Sequence, residues 1–342
     1  GKFSEFLKRH CIDTLNVTNI SDTVSAINSA VDGDISSVET KNHGQISGDL
    51  FIDCTGAKSL LLGEHFKVPF KSQKHHLFND SALAVQLPYP KVKGQPNADI
   101  ASCTVSTAQD SGWIWDIGLS SRRGVGHVYS SAHCSDDKAE QALRRYIADD
   151  TNKQNIRKLS FDPGHRAHFW HRNCVAIGMS AGFIEPLEAS ALALIELSAK
   201  MVSEQLPVSR ATMDIVAERF NQKFLQRWDN IIEFLKLHYV LSDRTEDYWR
   251  DNRESSTVPQ SLQTLLQLWQ SQTPYLFDTT HTEALFPAAS YQYILYGMGF
   301  ETKPRMTRRN KQQAEQAEQL FNDNVRKSQQ LCAALPSNRQ RS

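Results

Sequence analysis

The chain has 342 residues, enough to bury a large core, and more than one average domain. Lys plus Arg and Asp plus Glu both number 38, so the balance excludes a generally basic nucleic-acid coat or a polybasic membrane anchor. A hydrophobic content of 40% fits a globular chain with a polar surface, and no apolar run has the length of a membrane span.

The first segment, "GKFSEFLKRHCI", reads as a helix already under way. The chain starts with Gly1, shows no signal peptide, and is expected to lack its natural beginning. "VSAINSAV", then Asp32-Gly33-Asp34, then "ISSVETK", reads as a hairpin across a tight turn. "DLFIDCTG" is a short buried strand ending at Thr55-Gly56. Strands are expected at "SALAVQLPY", "ASCTVSTA", "GWIWDIGLS" and "GVGHVYSS", and a helix at "DDKAEQALRRYIADD".

Near "NCVAIGMSAG" an apolar strand meets a glycine turn and then a helix, "GFIEPLEASALALIEL", with Glu185, Pro186 and Glu188 in its first turn. Beyond it the chain is helical. Phe220, Phe224, Trp228, Ile231, Leu235 and Tyr239 mark one face of a long helix over residues 212–241. "PQSLQTLLQLWQS" and a polar surface helix, "RNKQQAEQAEQLFNDNVRKSQQLCAAL", follow. These elements give an α/β chain (mixed α+β) with a boundary near residue 200.

Six scattered cysteines include no C-x-x-C pair, so a structural zinc site is not expected, and reduced thiols point to a cytoplasmic protein. Cys54 and Cys174 read as small core residues. His165, His168 and His171 are evenly spaced but precede a strand, and His75-His76 is isolated; no metal site is expected.

Three features could carry chemistry. The strand, glycine turn and helix of residues 174–195 can bring a flat or anionic ligand to backbone N–H groups, or can be a packing turn. The aspartate and glycine of "LFIDCTG" suit a nucleotide crevice or an ordinary strand end. Trp113 and Trp115 share one face of a strand, as core residues or as walls of a flat site.

Together these segments resemble the flavin-dependent tryptophan halogenases. The resemblance rests on "FLKR", "DLFIDCTG", "GWIWDIG" beside the family's W-x-W-x-I-P signature, "NCVAIGMSAGFIEPLEAS", "HYVLSDRTEDYW" and the "GMG" near residue 298. It implies a flavin monooxygenase-like module in residues 1–200 and a helical substrate-side domain in 201–342. It implies a reaction in which reduced FAD from a separate flavin reductase meets O2 and forms a flavin hydroperoxide. Chloride or bromide then gives hypohalous acid, which halogenates an indole-type substrate: tryptophan, indole or a derivative.

Residue by residue, the resemblance makes Glu188 the catalytic glutamate and Glu185 its structural partner. Val24, Gly56, Met179 and Leu192 match flavin contacts, and Ser190 and Ala191 the halide site. Trp113 and Trp115 match the partition between flavin and substrate, and Phe286 stands where the family has a pocket tryptophan. A homodimer is the expected assembly.

The family's G-x-G-x-x-G and catalytic lysine precede the matched region, so this polypeptide alone is expected to bind FAD poorly and to be inactive. Ala189 stands for the usual serine and Gly118 for the signature proline. "DTTHTEALFPAAS" is poorer in tyrosine than the family's amino-acid clamp. Two other readings are an aromatic hydroxylase on the same fold, and a relic chain that only binds.

Overall fold

The computed structural model describes residues 2–89, 99–148, 154–278, 285–305 and 307–341. It is a mixed α/β chain that divides into two compact units. One comprises residues 1–69, 167–181 and 197–222; the other comprises 70–166, 182–196 and 223–342. No single cut in the sequence separates them.

In the first unit, Val24–Ser29, Ile35–Thr40 and Gly44–Ser47 form an antiparallel meander. Its first turn closes at Gly33, whose φ of +91° favours glycine. A second sheet pairs Phe51–Asp53 parallel to Cys174–Ala176, with Trp170–His171 on the other side. The Asn173 side chain ties the two sheets together, accepting from Ile35 N at 2.9 Å and donating to Ile35 O at 2.8 Å.

Asp53 ends its strand fully buried. Its carboxylate accepts the backbone N–H groups of Thr55, Leu61 and Leu62 and the hydroxyls of Thr55 and Ser59. It therefore organises the π-helical turn Leu60–His65, satisfying N–H groups that a helix start leaves open. Cys174 is buried as expected, but Cys54 is exposed. Strand alternation explains this: buried Asp53 turns inward and its neighbour turns out.

The second unit is built on a five-stranded antiparallel sheet. Its order is Arg157–Ser160, Ser81–Pro88, Arg122–Tyr129, Gly112–Gly118, Val105–Gln109. Leu83, Val85, Leu87, Ile114, Val125 and Tyr129 cluster with Ala139 and Leu143 of the helix Asp136–Ile147. Ile114 lies within that core, so Trp113 and Trp115 must take the opposite face. Trp115 lies so close to Gly126 that a Cβ there would stand 2.1 Å from its ring, and only glycine fits beneath it.

The long helix runs Arg210–Val240, and the six residues that predicted its apolar face are all buried. In the second unit Phe234 and Leu237 of this helix pack with Val258, Leu262, Trp269, Tyr291 and Leu295. The helix Arg308–Ala334 is exposed along its described residues, as its polar sequence requires. Among the described residues no helix is long and apolar enough to cross a membrane.

Candidate active site

The sequence reading starts a helix at the glutamates; the structure starts it later. Gly182–Phe183 is a short strand, Leu187–Ala189 a single 3-10 turn, and the helix begins only at Ser190. Glu188 and Ala189 both adopt left-handed backbone, with φ of +62° and +50°. Each such residue costs roughly 1 kcal/mol, because its Cβ crowds the carbonyl that follows. The kink ends any regular helix on its N-terminal side, so neither glutamate lies in the first helical turn.

Glu188 reaches a cavity of about 610 Å3 in the second unit. One wall is the sheet, through Thr104, Ser106, Trp113, Trp115 and Ile117; the other is the turn Pro186–Ala189. The two indoles meet edge to face, with ring centroids 6.3 Å apart. The walls are apolar apart from two hydroxyls and one carboxylate. Such a cavity suits a flat aromatic ligand, which stacks on the indoles and is oriented by few polar groups.

About a third of the Glu188 side chain (34%) is exposed. Its Oε1 lies 3.0 Å from His238 Nε2, and the other ring nitrogen, Nδ1, lies 2.9 Å from the Phe234 carbonyl. A carbonyl only accepts, so Nδ1 carries a proton; Nε2 then donates to Glu188 from an imidazolium, or accepts from the protonated acid. The His238 hydrogen bond, helped by the imidazolium charge, holds the Glu188 carboxyl below its usual range against partial desolvation. That favours the ionised form of Glu188. Oε2 has no protein partner among the described residues.

Glu185, three residues earlier, has the opposite surroundings. It is 2% exposed, and one oxygen, Oε2, collects three donors: Asn79 Nδ2 at 2.6 Å, the Tyr239 hydroxyl at 2.7 Å and Trp113 Nε1 at 2.8 Å. Oε1 is buried and has no partner among the described residues. Burial pushes this carboxyl above the usual range, and the three hydrogen bonds oppose the shift.

The structure thus brings Glu188, Trp113 and Trp115 together around one cavity. Ser190, buried, and Ala191, exposed, open the helix beyond the kink, where the first N–H groups lack helical partners. Leu192 is 77% exposed on the same helix. The other flavin candidates lie in the first unit. Gly56 and Gly178 turn the chain just beyond the two parallel strands with φ of +73° and +74°; Met179 is 51% exposed and Val24 half-buried. Phe286 does not line the cavity. It stacks on Phe234 at 4.0 Å, and Phe234 meets His238 edge to face, so it lies in the packing behind Glu188. Most of the clamp-like stretch before it, residues 279–284, lies outside the described residues.

His238, Asn79 and Tyr248 carry no site role in the sequence reading, and Tyr239 appears there only on the apolar face of the long helix. His238 is 50 residues from Glu188, and spacing gives no sign of the pair. One signal was available: His238 follows Phe234 by one helical turn, on the helix whose apolar face was already drawn. His165 is buried and stacks on Trp228, and no group of potential metal ligands occurs among the described residues.

The family model for tryptophan halogenase matches residues 1–315. Among curated relatives, the chain is 35% identical over 298 residues to tryptophan 6-halogenase SttH of Streptomyces toxytricini. It is 32% identical over 348 residues to tryptophan 7-halogenase KtzQ of a Kutzneria species. These alignments cover 86% and 98% of this chain, and the chain spans only 55% and 64% of the relatives' lengths. Among solved structures, a tryptophan halogenase from Shewanella frigidimarina superposes with a TM-score of 0.94 at 55% identity, over 99% of this chain and 64% of that one. BrvH, a flavin-dependent halogenase from Brevundimonas, superposes at 0.86 with 30% identity, over 99% and 67%.

Proposed function

This chain belongs to the tryptophan halogenase family, and on that premise we propose that the protein halogenates an indole-type aromatic substrate, using reduced FAD from a separate reductase, O2, and chloride or bromide. The observation that carries the reading is the Glu188 carboxylate, held by His238 on the wall of a cavity that also contains Trp113 and Trp115.

The residues present fit a flat cofactor. A Cβ at Gly56 would meet open space, and Gly56 and Gly178 both follow strands of the parallel pair, where open turns admit a ligand to the backbone. Within the first unit, Gly56, Met179 and Val24 would contact the flavin. When bound, reduced flavin with O2 supplies the two-electron oxidation that converts halide to hypohalous acid.

The residues of this chain act on the halide and the substrate. Backbone N–H groups at Ser190 and Ala191 favour an anion at the helix start, which suits a halide. Trp113 and Trp115 stack against the aromatic ring and hold it in the cavity. As the halogen passes from hypohalous acid to a ring carbon, the oxygen–halogen bond breaks, the oxygen leaves as water after taking up a proton, and the ring becomes cationic. Glu188 stabilises that charge and accepts the ring proton, restoring aromaticity. His238 keeps the carboxylate ionised and in place meanwhile.

The test takes the protein with the family's G-x-G-x-x-G and catalytic lysine present, as the resemblance implies for the active form, and supplies FAD, NADH, a flavin reductase, air and either chloride or bromide. Indole and L-tryptophan are the trial substrates, and mass spectrometry reads the products. Halogenated product that requires halide is expected, with Glu188→Gln lowering its rate by about a hundredfold or more. Hydroxylated product formed without halide overturns the reading.

A further inference from the structure

Trp113 does more than present a ring to the cavity. Its Nε1–H points away into the interior and is bound by Glu185, a buried residue that does not line the cavity. The acceptor oxygen is shared with Asn79 and Tyr239, and the carbonyl oxygen of Asn79 accepts from the Tyr248 hydroxyl at 3.0 Å. Asn79, Tyr239 and Tyr248 are themselves buried. An indole has one donor and no acceptor, so this hydrogen bond fixes which way the ring turns about its last torsion.

Glu185 is also three residues from Glu188, across Pro186 and the left-handed kink. One side chain is therefore anchored to both walls: by hydrogen bond to the sheet wall, and by short covalent connection to the turn that carries the Glu188 carboxylate. Left-handed non-glycine residues persist only where their surroundings over-determine them, and the Glu185 clamp supplies that constraint.

We propose that Glu185 is a positioning residue that acts through Trp113, fixing the indole wall relative to Glu188 and so setting how an aromatic substrate lies in the cavity. The inference rests on the halogenase reading for its consequence in catalysis. Its structural content stands without it. The substrate class is a flat, indole-sized ring, since a misplaced Trp113 removes stacking area from any such ligand.

The experiment uses tryptophan labelled with 15N in the indole and follows the ring N–H signals of wild type, Glu185→Gln, Trp113→Phe and the double variant. The Trp113 signal is assigned by its loss in Trp113→Phe. A hydrogen bond to a carboxylate moves that signal downfield and slows its exchange; in Glu185→Gln it should shift upfield and exchange faster. The same four proteins are titrated with indole, and circular dichroism confirms that each is folded. Each single variant should weaken indole binding about tenfold, because an ordered stacking partner becomes disordered. The two effects should not add in the double variant, because both act through one ring.

An unmoved Trp113 signal in Glu185→Gln overturns the proposal. So does a moved signal with unchanged indole affinity, which would leave Glu185 a structural residue only. Additive losses would show that Glu185 acts by another route, and also overturn it. None of these readings needs turnover, so a failure to halogenate would defeat the proposed function and leave this test standing.

Discussion

Two parts of the second unit hold carboxylates three residues apart and treat them in opposite ways. Around Glu185 the chain is sealed. Its contacts are neutral donors, and burial drives the carboxyl toward its uncharged form. Lys236, 0% exposed, belongs to this sealed part. Among the described residues its ammonium meets the Asn252 side-chain oxygen at 2.8 Å and the Phe78 ring at 4.7 Å, and burial lowers its pKa to about 7. At the rim, Glu188 keeps a third of its side chain exposed, and its hydrogen bond to His238 holds its carboxyl below the usual range. The two carboxyls are pushed in opposite directions, Glu185 up by burial and Glu188 down by its hydrogen bond to His238. Sequence spacing treats the two glutamates alike, and the kink between them is what parts them.

The largest expected effect breaks the sealed side. Lys236 has a folded pKa near 7 and an unfolded one near 10.5, so between those values the unfolded chain binds more protons. Wild-type stability therefore gains from rising pH across that window, at about 1.4 kcal/mol per unit. Lys236→Met lacks this slope. Urea titrations from pH 7 to pH 10 should show its stability relative to wild type falling by roughly 4 kcal/mol.

Next is Glu185→Ala, which strands three buried donors and opens a void. A loss of about 3 kcal/mol is expected in thermal unfolding. A loss below 1 kcal/mol would mean that the clamp is not sealed.

The rim gives smaller effects. His238→Ala removes the group that holds the Glu188 carboxyl low, so that carboxyl rises toward its ordinary value. The acid limb of the rate profile should then move to higher pH, with turnover about tenfold lower. An unmoved limb would remove His238 from the site.

Smallest is Ala189→Gly. The left-handed strain is relieved, while the unfolded chain gains freedom, leaving a net stabilisation of about 0.5 kcal/mol. A melt that falls instead would show that the kink is held by contacts the glycine loses.

Much of this was legible in the sequence because it follows from local rules. The hairpin at Gly33 needs a residue that tolerates positive φ. Ile114 facing the core forces Trp113 and Trp115 to the other face, since side chains alternate along a strand. The face from Phe220 to Tyr239 repeats at the helical period. Trp113, Trp115 and Glu188, singled out through "GWIWDIG" and "EPLEAS", line one cavity, and the sequence does not say what holds them.

What only the tertiary structure decided involves partners far apart in the chain or backbone that propensity does not foresee. Glu185 and Glu188 read as an ordinary acidic helix start, but the kink at Glu188 and Ala189 moves that start to Ser190. Phe286 stands by alignment at a substrate pocket; packing puts it behind Phe234. His238 and Asn79 are ordinary polar residues until the fold sets them against Glu188 and Glu185. The physical reason is one of range. Periodicity and turn chemistry act within a few residues, whereas desolvation and hydrogen bonding between distant segments exist only once the chain has closed around them.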